Sequence, residues 1–250
     1  MQRGLYIAGT GMMVQRRAME NVTNNITNVE TTGFKKNYLI THSFDEVMLQ
    51  RINDLPVVGR GSYAGPLTYG TLVDQIYMDF SQGSFEETGL TTDLAIAGDG
   101  FFVMETPAGD RYTRSGAFAL TVDGFLCDPD GHYLLGQDGR VWVGTDKFTV
   151  TTDGTITVDG EYVNTIRLVG FADNNSLRSE GHNLFNATQQ PGAPEFAEIR
   201  QGFLENSNVG VAREMVDMLT VFRAYETNQR ILSMIDETLG KAVNEIGGLR

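Results

Sequence analysis

Residues 23–36 read TNNITNVETTGFKK. The stretch closes an amphipathic N-terminal segment with three Asn and four Thr before it reaches Gly33. Asn and Thr are poor helix formers because their side chains compete for backbone hydrogen bonds. Those same amides and hydroxyls can bond the backbone and side chains of packed neighbours. The stretch therefore predicts a helix that stops near Gly33, where a left-handed backbone is tolerated, and a corner that sends the chain elsewhere. Phe34 is expected to anchor that corner, with Lys35 and Lys36 either solvated or facing an acidic neighbour.

Working outward, both ends of the chain carry heptad patterns. Towards the C-terminus, apolar residues recur at Val211, Met218, Tyr225, Leu232, Leu239 and Ile246, and a second row reads Glu214, Val221, Asn228, Ile235, Ala242. This is an a/d seam interrupted at Glu214 and Asn228. Ser207 or Asn208 is placed to cap its start, and Gly247-Gly248 to end it. Upstream of the opening stretch, Leu5, Met12, Met19 and Ile26 form one row, and Ala8, Gln15, Val22 and Val29 the other. A heptad seam is narrow and suits another helix better than a sheet. The two ends are thus expected to pair with each other or with copies from other chains.

The middle has a different grammar. Asp-Gly occurs at 99–100, 123–124, 130–131, 138–139, 153–154 and 159–160, flanked by runs such as LAIA, FFVM, YLL and TITV. Asp-Gly between apolar or β-branched runs is the strongest short hairpin signal. The expected fold is mainly β with long terminal α-helices. The N- and C-terminal helices pair as a coiled-coil-like domain (1–36 with 205–250), residues 37–79 form an extended connector, and 80–204 form an antiparallel β domain. Within the connector, SFDEVMLQRI reads as a short helix and LPVVGRGSYAGPLTYG as an extended connector or loop.

Charge and chemistry exclude several classes. Net charge is −13, while residues 1–36 are net basic, so the acid excess lies in the middle of the chain. That argues against nucleic acid and anionic membrane as partners. The single Cys127 forms no disulfide within the chain. No run reaches the roughly 18 apolar residues of a membrane span, and GLYIAGTGMMV at 4–14 matches a cleaved signal poorly. GRGSYA at 59–64 fits a relaxed dinucleotide fingerprint, but Gly65-Pro66 follows where a helix should open. The three His lie far apart. DPDGHYLLGQDG at 128–139 puts Leu126 and Gln137 at positions where a calcium loop needs acids. No catalytic, metal or cofactor site is expected. Rival readings are a cell-wall glycan hydrolase using Glu86–Glu87 or Asp128/Asp130 and a secreted adhesin with a coiled-coil stalk.

The opening stretch resembles the Asn-rich motif near the N-terminus of bacterial flagellar axial proteins, the rod and hook family. The likeness continues in DFSQGSFEETGLTTDLAIAGDGFF at 79–102, YTRSGAFALTVDGFLCDPDGHYLLG at 112–136, GHNLF at 181–185 and QGFLENSNVGVAREMVDMLTVFRAYETNQRIL at 201–232. The short chain resembles a rod protein more than the longer hook protein, and SNV at 207–209 with RAYE at 223–226 resembles the distal type. The family-motif positions are Asn24, Asn25, Asn28, Thr32, Gly33, Phe34, Ser207, Asn208, Val209, Arg223, Ala224, Tyr225 and Glu226. The resemblance implies a structural subunit of the flagellar basal body. It implies export through the type III apparatus without a cleaved signal. Copies of itself and neighbouring rod and hook proteins are its implied partners. It also implies terminal helices lining a hollow axial tube, with a β domain further out and a connector that helps set stiffness and curvature. The expected assembly interface is Leu5, Met12, Met19, Val22, Ile26, Val29, Val211, Met218, Val221, Tyr225, Leu232, Ile235 and Leu239.

Overall fold

The computed structural model describes residues 2–50 and 63–247. Among them are two α-helices, α1 (Gln2–Thr27) and α2 (Val211–Gly247), and twenty short strands. The chain is mainly β, with a helix towards each end. It divides into two compact units. One contains residues 1–26, 37–77 and 211–250, and the other residues 27–36 and 78–210. These bounds differ from the sequence-based ones: 27–36 groups with the β unit, and the strands after Asn37 group with the helices.

In the helical unit, α1 and α2 run antiparallel. A Cβ built on Gly4 would lie 3.3 Å from Ile235, one on Gly11 would lie 3.0 Å from Asn228, and Asn25 bonds Glu214. Steps of seven and fourteen residues along α1 are thus matched by equal steps back along α2. At 1.5 Å per residue, α2 is about 55 Å long. Asn37–Ser43 pairs with Thr71–Met78, and Val47–Gln50 with Tyr63–Leu67. The short helix expected over SFDEVMLQRI is therefore corrected. Val47–Gln50 is a strand because it is hydrogen-bonded to Tyr63–Leu67, a sequence-distant partner that overrides local propensity. GRGS of the rejected fingerprint lies outside the described residues, and Tyr63-Ala64 open the second strand of that pair.

In the β unit, a nine-stranded sheet runs in the order Leu177–Gly181, Leu184–Ala187, Gly109–Thr113, Phe101–Thr106, Tyr133–Gly136, Leu126–Cys127, Ala119–Leu120, with two short strands off this path. Among the described residues its strands pair antiparallel. Successive residues of a strand face opposite sides. FFVM uses both: Phe102 and Met104 join one core with Leu94, Ile96, Leu126 and Leu134, while Phe101 and Val103 join a second with Tyr112, Leu177 and Phe185. This double burial explains a continuous apolar run instead of an alternating one. Five of the six Asp-Gly pairs sit between strands that pair with each other. The first does not: Leu94–Gly98 pairs with Ala197–Gln201, and Phe101–Thr106 with other strands. Gly98 and Gly100 both have positive φ, so the chain bends there and crosses to another sheet instead of folding back.

Candidate assembly site

The Asn-rich segment does two separate jobs, one in each unit. In the helical unit, Asn21 and Asn25 stand one turn apart on α1 and share a face. Asn21 Nδ2 donates to the Asn37 carbonyl at 2.8 Å, and Asn25 Nδ2 donates to the same oxygen at 2.9 Å. The Asn37 N–H donates back to Asn25 Oδ1 at 3.0 Å. The Asn25 amide therefore takes the place of a paired strand for residue 37. Its Nδ2 also donates to Glu214 Oε2 of α2 at 3.1 Å, and the side chain is buried. Three elements meet on one amide.

Along α2, Val211 of the expected row is exposed. Glu214 is buried, and Met218, Val221, Tyr225, Asn228, Leu232, Ile235, Leu239 and Ala242 are half-buried. The two apparent interruptions are its specific contacts: Glu214 meets Asn25, and Asn228 faces Gly11. On α1, Gly4, Gly11 and Asn25 each approach α2, one residue before the row Leu5, Met12, Met19, Ile26, and Ala8 and Val22 of the second row are buried. A hydrophobicity pattern cannot register glycine, whose value here is close approach.

In the β unit the corner begins after α1 ends at Thr27. The helix thus stops six residues short of Gly33, because residues 28–33 turn. Gly33 has φ +68, and a Cβ there would lie 2.5 Å from the Arg114 carbonyl carbon and 2.5 Å from the Ser115 nitrogen. Its N–H donates to the Glu205 carbonyl at 2.7 Å. Only glycine meets both the left-handed backbone and the close approach. Thr32 adds a hydroxyl contact to Ser115 at 3.0 Å, and its carbonyl accepts from Asn183 Nδ2 at 3.0 Å. Phe34 is buried, as an anchor should be.

Lys35 and Lys36 are both buried, which removes the solvated alternative. Lys35 Nζ donates to Glu205 Oε1 at 2.7 Å and to the Ser81 carbonyl at 2.8 Å. Glu205 Oε1 also accepts from the Gly83 N–H at 2.9 Å, while its Oε2 faces Arg114 Nη1 at 3.5 Å. Burial pulls the Lys35 ammonium below its ordinary range, and Glu205 pulls it back up. Burial likewise lowers Arg114. Asn208 does not cap α2. Its Oδ1 accepts from the Lys36 N–H at 2.7 Å, and its Nδ2 donates to the Asp79 carbonyl at 2.8 Å. It therefore ties 36, 79 and 208 within the β unit.

The two ends of the chain also match known families. Residues 5–35 match "Flagella basal body rod protein", residues 95–158 match "Flagellar hook protein FlgE/F/G D1 domain", and residues 200–245 match "Flagellar basal body rod FlgEFG protein C-terminal". The flagellar basal-body rod protein FlgG of Bacillus subtilis is 34% identical over 270 residues, covering 98% of this chain and 99% of its own length. The chain belongs to the flagellar basal-body rod protein family. FlgG of Borreliella burgdorferi is 32% identical, with 98% of each chain covered. The flagellar basal-body rod protein FlgF of Caulobacter vibrioides is 30% identical, with 99% of each covered. As a member of the rod family, the protein is a structural subunit of the flagellar rod, located in the basal body, and the FlgG relatives agree with the distal type. Among the described residues, no helix is long and apolar enough to cross a membrane, and no group of three or more His, Cys, Asp or Glu stands ready to hold a metal.

The N- and C-terminal rod matches meet in the β unit at Gly33, Lys35 and Glu205. Of the other motif positions, Asn24 and Arg223 are exposed; Asn28, Ser207, Ala224, Tyr225 and Glu226 are half-buried; and Val209 is buried. Of the expected interface residues on α1 and α2, Leu5 and Val211 are exposed, Val22 is buried, and the rest are half-buried. Val29 lies in the turn beyond α1, because the helix ends first. Sequence reasoning missed Glu205, Arg114 and Asn37. An acidic or basic residue inside a family block is the one signal that pointed to the first two, since a buried Lys must find a carboxylate.

Proposed function

We propose that this rod protein polymerises through its terminal helices into a hollow axial shaft that transmits torque and conducts exported subunits. Its partners are further copies of itself and neighbouring rod and hook proteins, and it reaches its place through the flagellar export apparatus. α1 and α2 form a coiled-coil-like pair, with Met12, Met19, Val22, Ile26, Met218, Val221, Tyr225, Leu232, Ile235 and Leu239 at or beside their seam. Leu5 and Val211 belong to the surface shared with other subunits.

One observation carries this reading. Beside the side chains that are covered, several large apolar side chains on each helix remain exposed. On α2 these include Met215, Val216, Leu219, Phe222 and Met234, and on α1 Leu5, Tyr6, Ile7 and Met13. Large apolar patches left exposed mark sites of protein association. Each such side chain contributes about 1.5–3 kcal/mol when fully buried, so covering this face favours association between subunits. The test is a full-length chain carrying Leu219→Asp and Phe222→Asp. The unaltered protein should give long assemblies in sedimentation and electron microscopy. The variant should stay small, with its β-sheet circular dichroism intact. Assemblies of normal length from the variant would refute the interface.

A further inference from the structure

The β unit holds a buried guanidinium that its own contacts do not satisfy. Arg114 is 3% exposed. A guanidinium has five N–H donors, yet one hydrogen bond is present, the 3.5 Å contact of Nη1 with Glu205 Oε2. Its Nε is buried with no hydrogen-bond partner. The Phe101 ring face lies 5.0 Å from its Cζ. Glu205 is itself already committed to Lys35 and the Gly83 N–H. Two buried cations therefore share one buried carboxylate, and the exposed Asp99 is a further anion acting on Arg114. Arg114 lines a cavity of about 460 Å³, together with Gly100, Phe171, Asn174, Gln190 and Ala193.

Buried charges are normally paired, and the planar fork of Arg matches a carboxylate in two-point geometry. Asp99 and Glu195 also line this cavity and are exposed. They disfavour a multiply charged anion such as phosphate, while the unpartnered Arg114 Nε–H still offers a donor to a single carboxylate. We propose that the Arg114 cavity is a binding site for one carboxylate group. A small free acid and an acidic side chain from a second copy offer the same chemistry. The site lies wholly outside the helical faces invoked for polymerisation, so the two readings fail independently.

The test follows the Arg114 Nε–H signal of ¹⁵N-labelled full-length protein, kept below its assembly concentration, as acetate replaces chloride at constant ionic strength. Arg114→Lys assigns the signal. A saturable shift is expected. Glu195→Gln should tighten acetate binding roughly 2- to 5-fold by removing a like charge. Ala193→Trp, at an exposed wall position, should abolish the shift while the protein stays folded. A signal that moves with protein concentration before acetate is added, and is reversed by it, identifies an acidic side chain of a second copy as occupant. A signal indifferent to concentration identifies a free acid. No saturable shift, or an equal shift in Ala193→Trp, would overturn the site.

Discussion

Glu205 compensates both Lys35 and Arg114, so removing its charge should leave two cations buried together. Breaking a buried pair from one side costs about 3–5 kcal/mol. Glu205→Gln is therefore expected to lower the unfolding free energy by about that much, read from urea transitions followed by near-ultraviolet circular dichroism. Gly33→Ala should cost at least about 1–2 kcal/mol for the left-handed backbone alone, with more from the overlap with residues 114–115; the same transitions measure it. Cys127 gives a milder expectation. Burial and the neighbouring Asp128 push its thiol up, and its Sγ donates to the Ala119 carbonyl. The thiolate is the reactive form. Iodoacetamide near neutral pH should thus label the native chain slowly and the urea-unfolded chain fast. At this scale the sequence pointed to the corner but not to its partners. Gly33 and Phe34 were legible from local rules, whereas Glu205 is 170 residues from Lys35 and no spacing rule reaches that far.

Elements were more legible than contacts. The C-terminal helix was readable because apolar periodicity survives two polar residues, and both of those residues, like Ile235, approach α1. On α1 the second predicted row is buried at Ala8 and Val22, and Gly4 and Gly11, which an apolar pattern passes over, also approach α2. Five Asp-Gly hairpins followed from turn chemistry alone. The sixth site misled because the partner of Leu94–Gly98 lies about a hundred residues away, in Ala197–Gln201, and turn residues do not specify such pairing. Asn25→Ala should loosen α1, α2 and Asn37 at once. Each buried group left unsatisfied costs about 1–3 kcal/mol, so amide hydrogen exchange should quicken at the end of α1 and in Asn37–Ser43 while the β-unit strands keep their protection. Leu232→Asp, which charges the half-buried seam, should prevent sedimenting assemblies without altering the strand signal.

For the whole molecule, charge governs approach between copies. Each carries a formal −13, so subunits repel until salt shortens the range of the field from about 30 Å at 0.01 M to about 8 Å at 0.15 M. Assembly should be faster and more complete at the higher ionic strength, as measured by light scattering, and salt independence would contradict an electrostatic barrier. The helical unit is also drawn from three separate pieces of chain, one of them the segment from residue 211 onward. A ribosome releases residues in numerical order. Through nearly the whole of translation, then, the small-residue groove on α1 waits for a counterpart that does not yet exist, and a nascent chain cannot present a finished joint to its siblings.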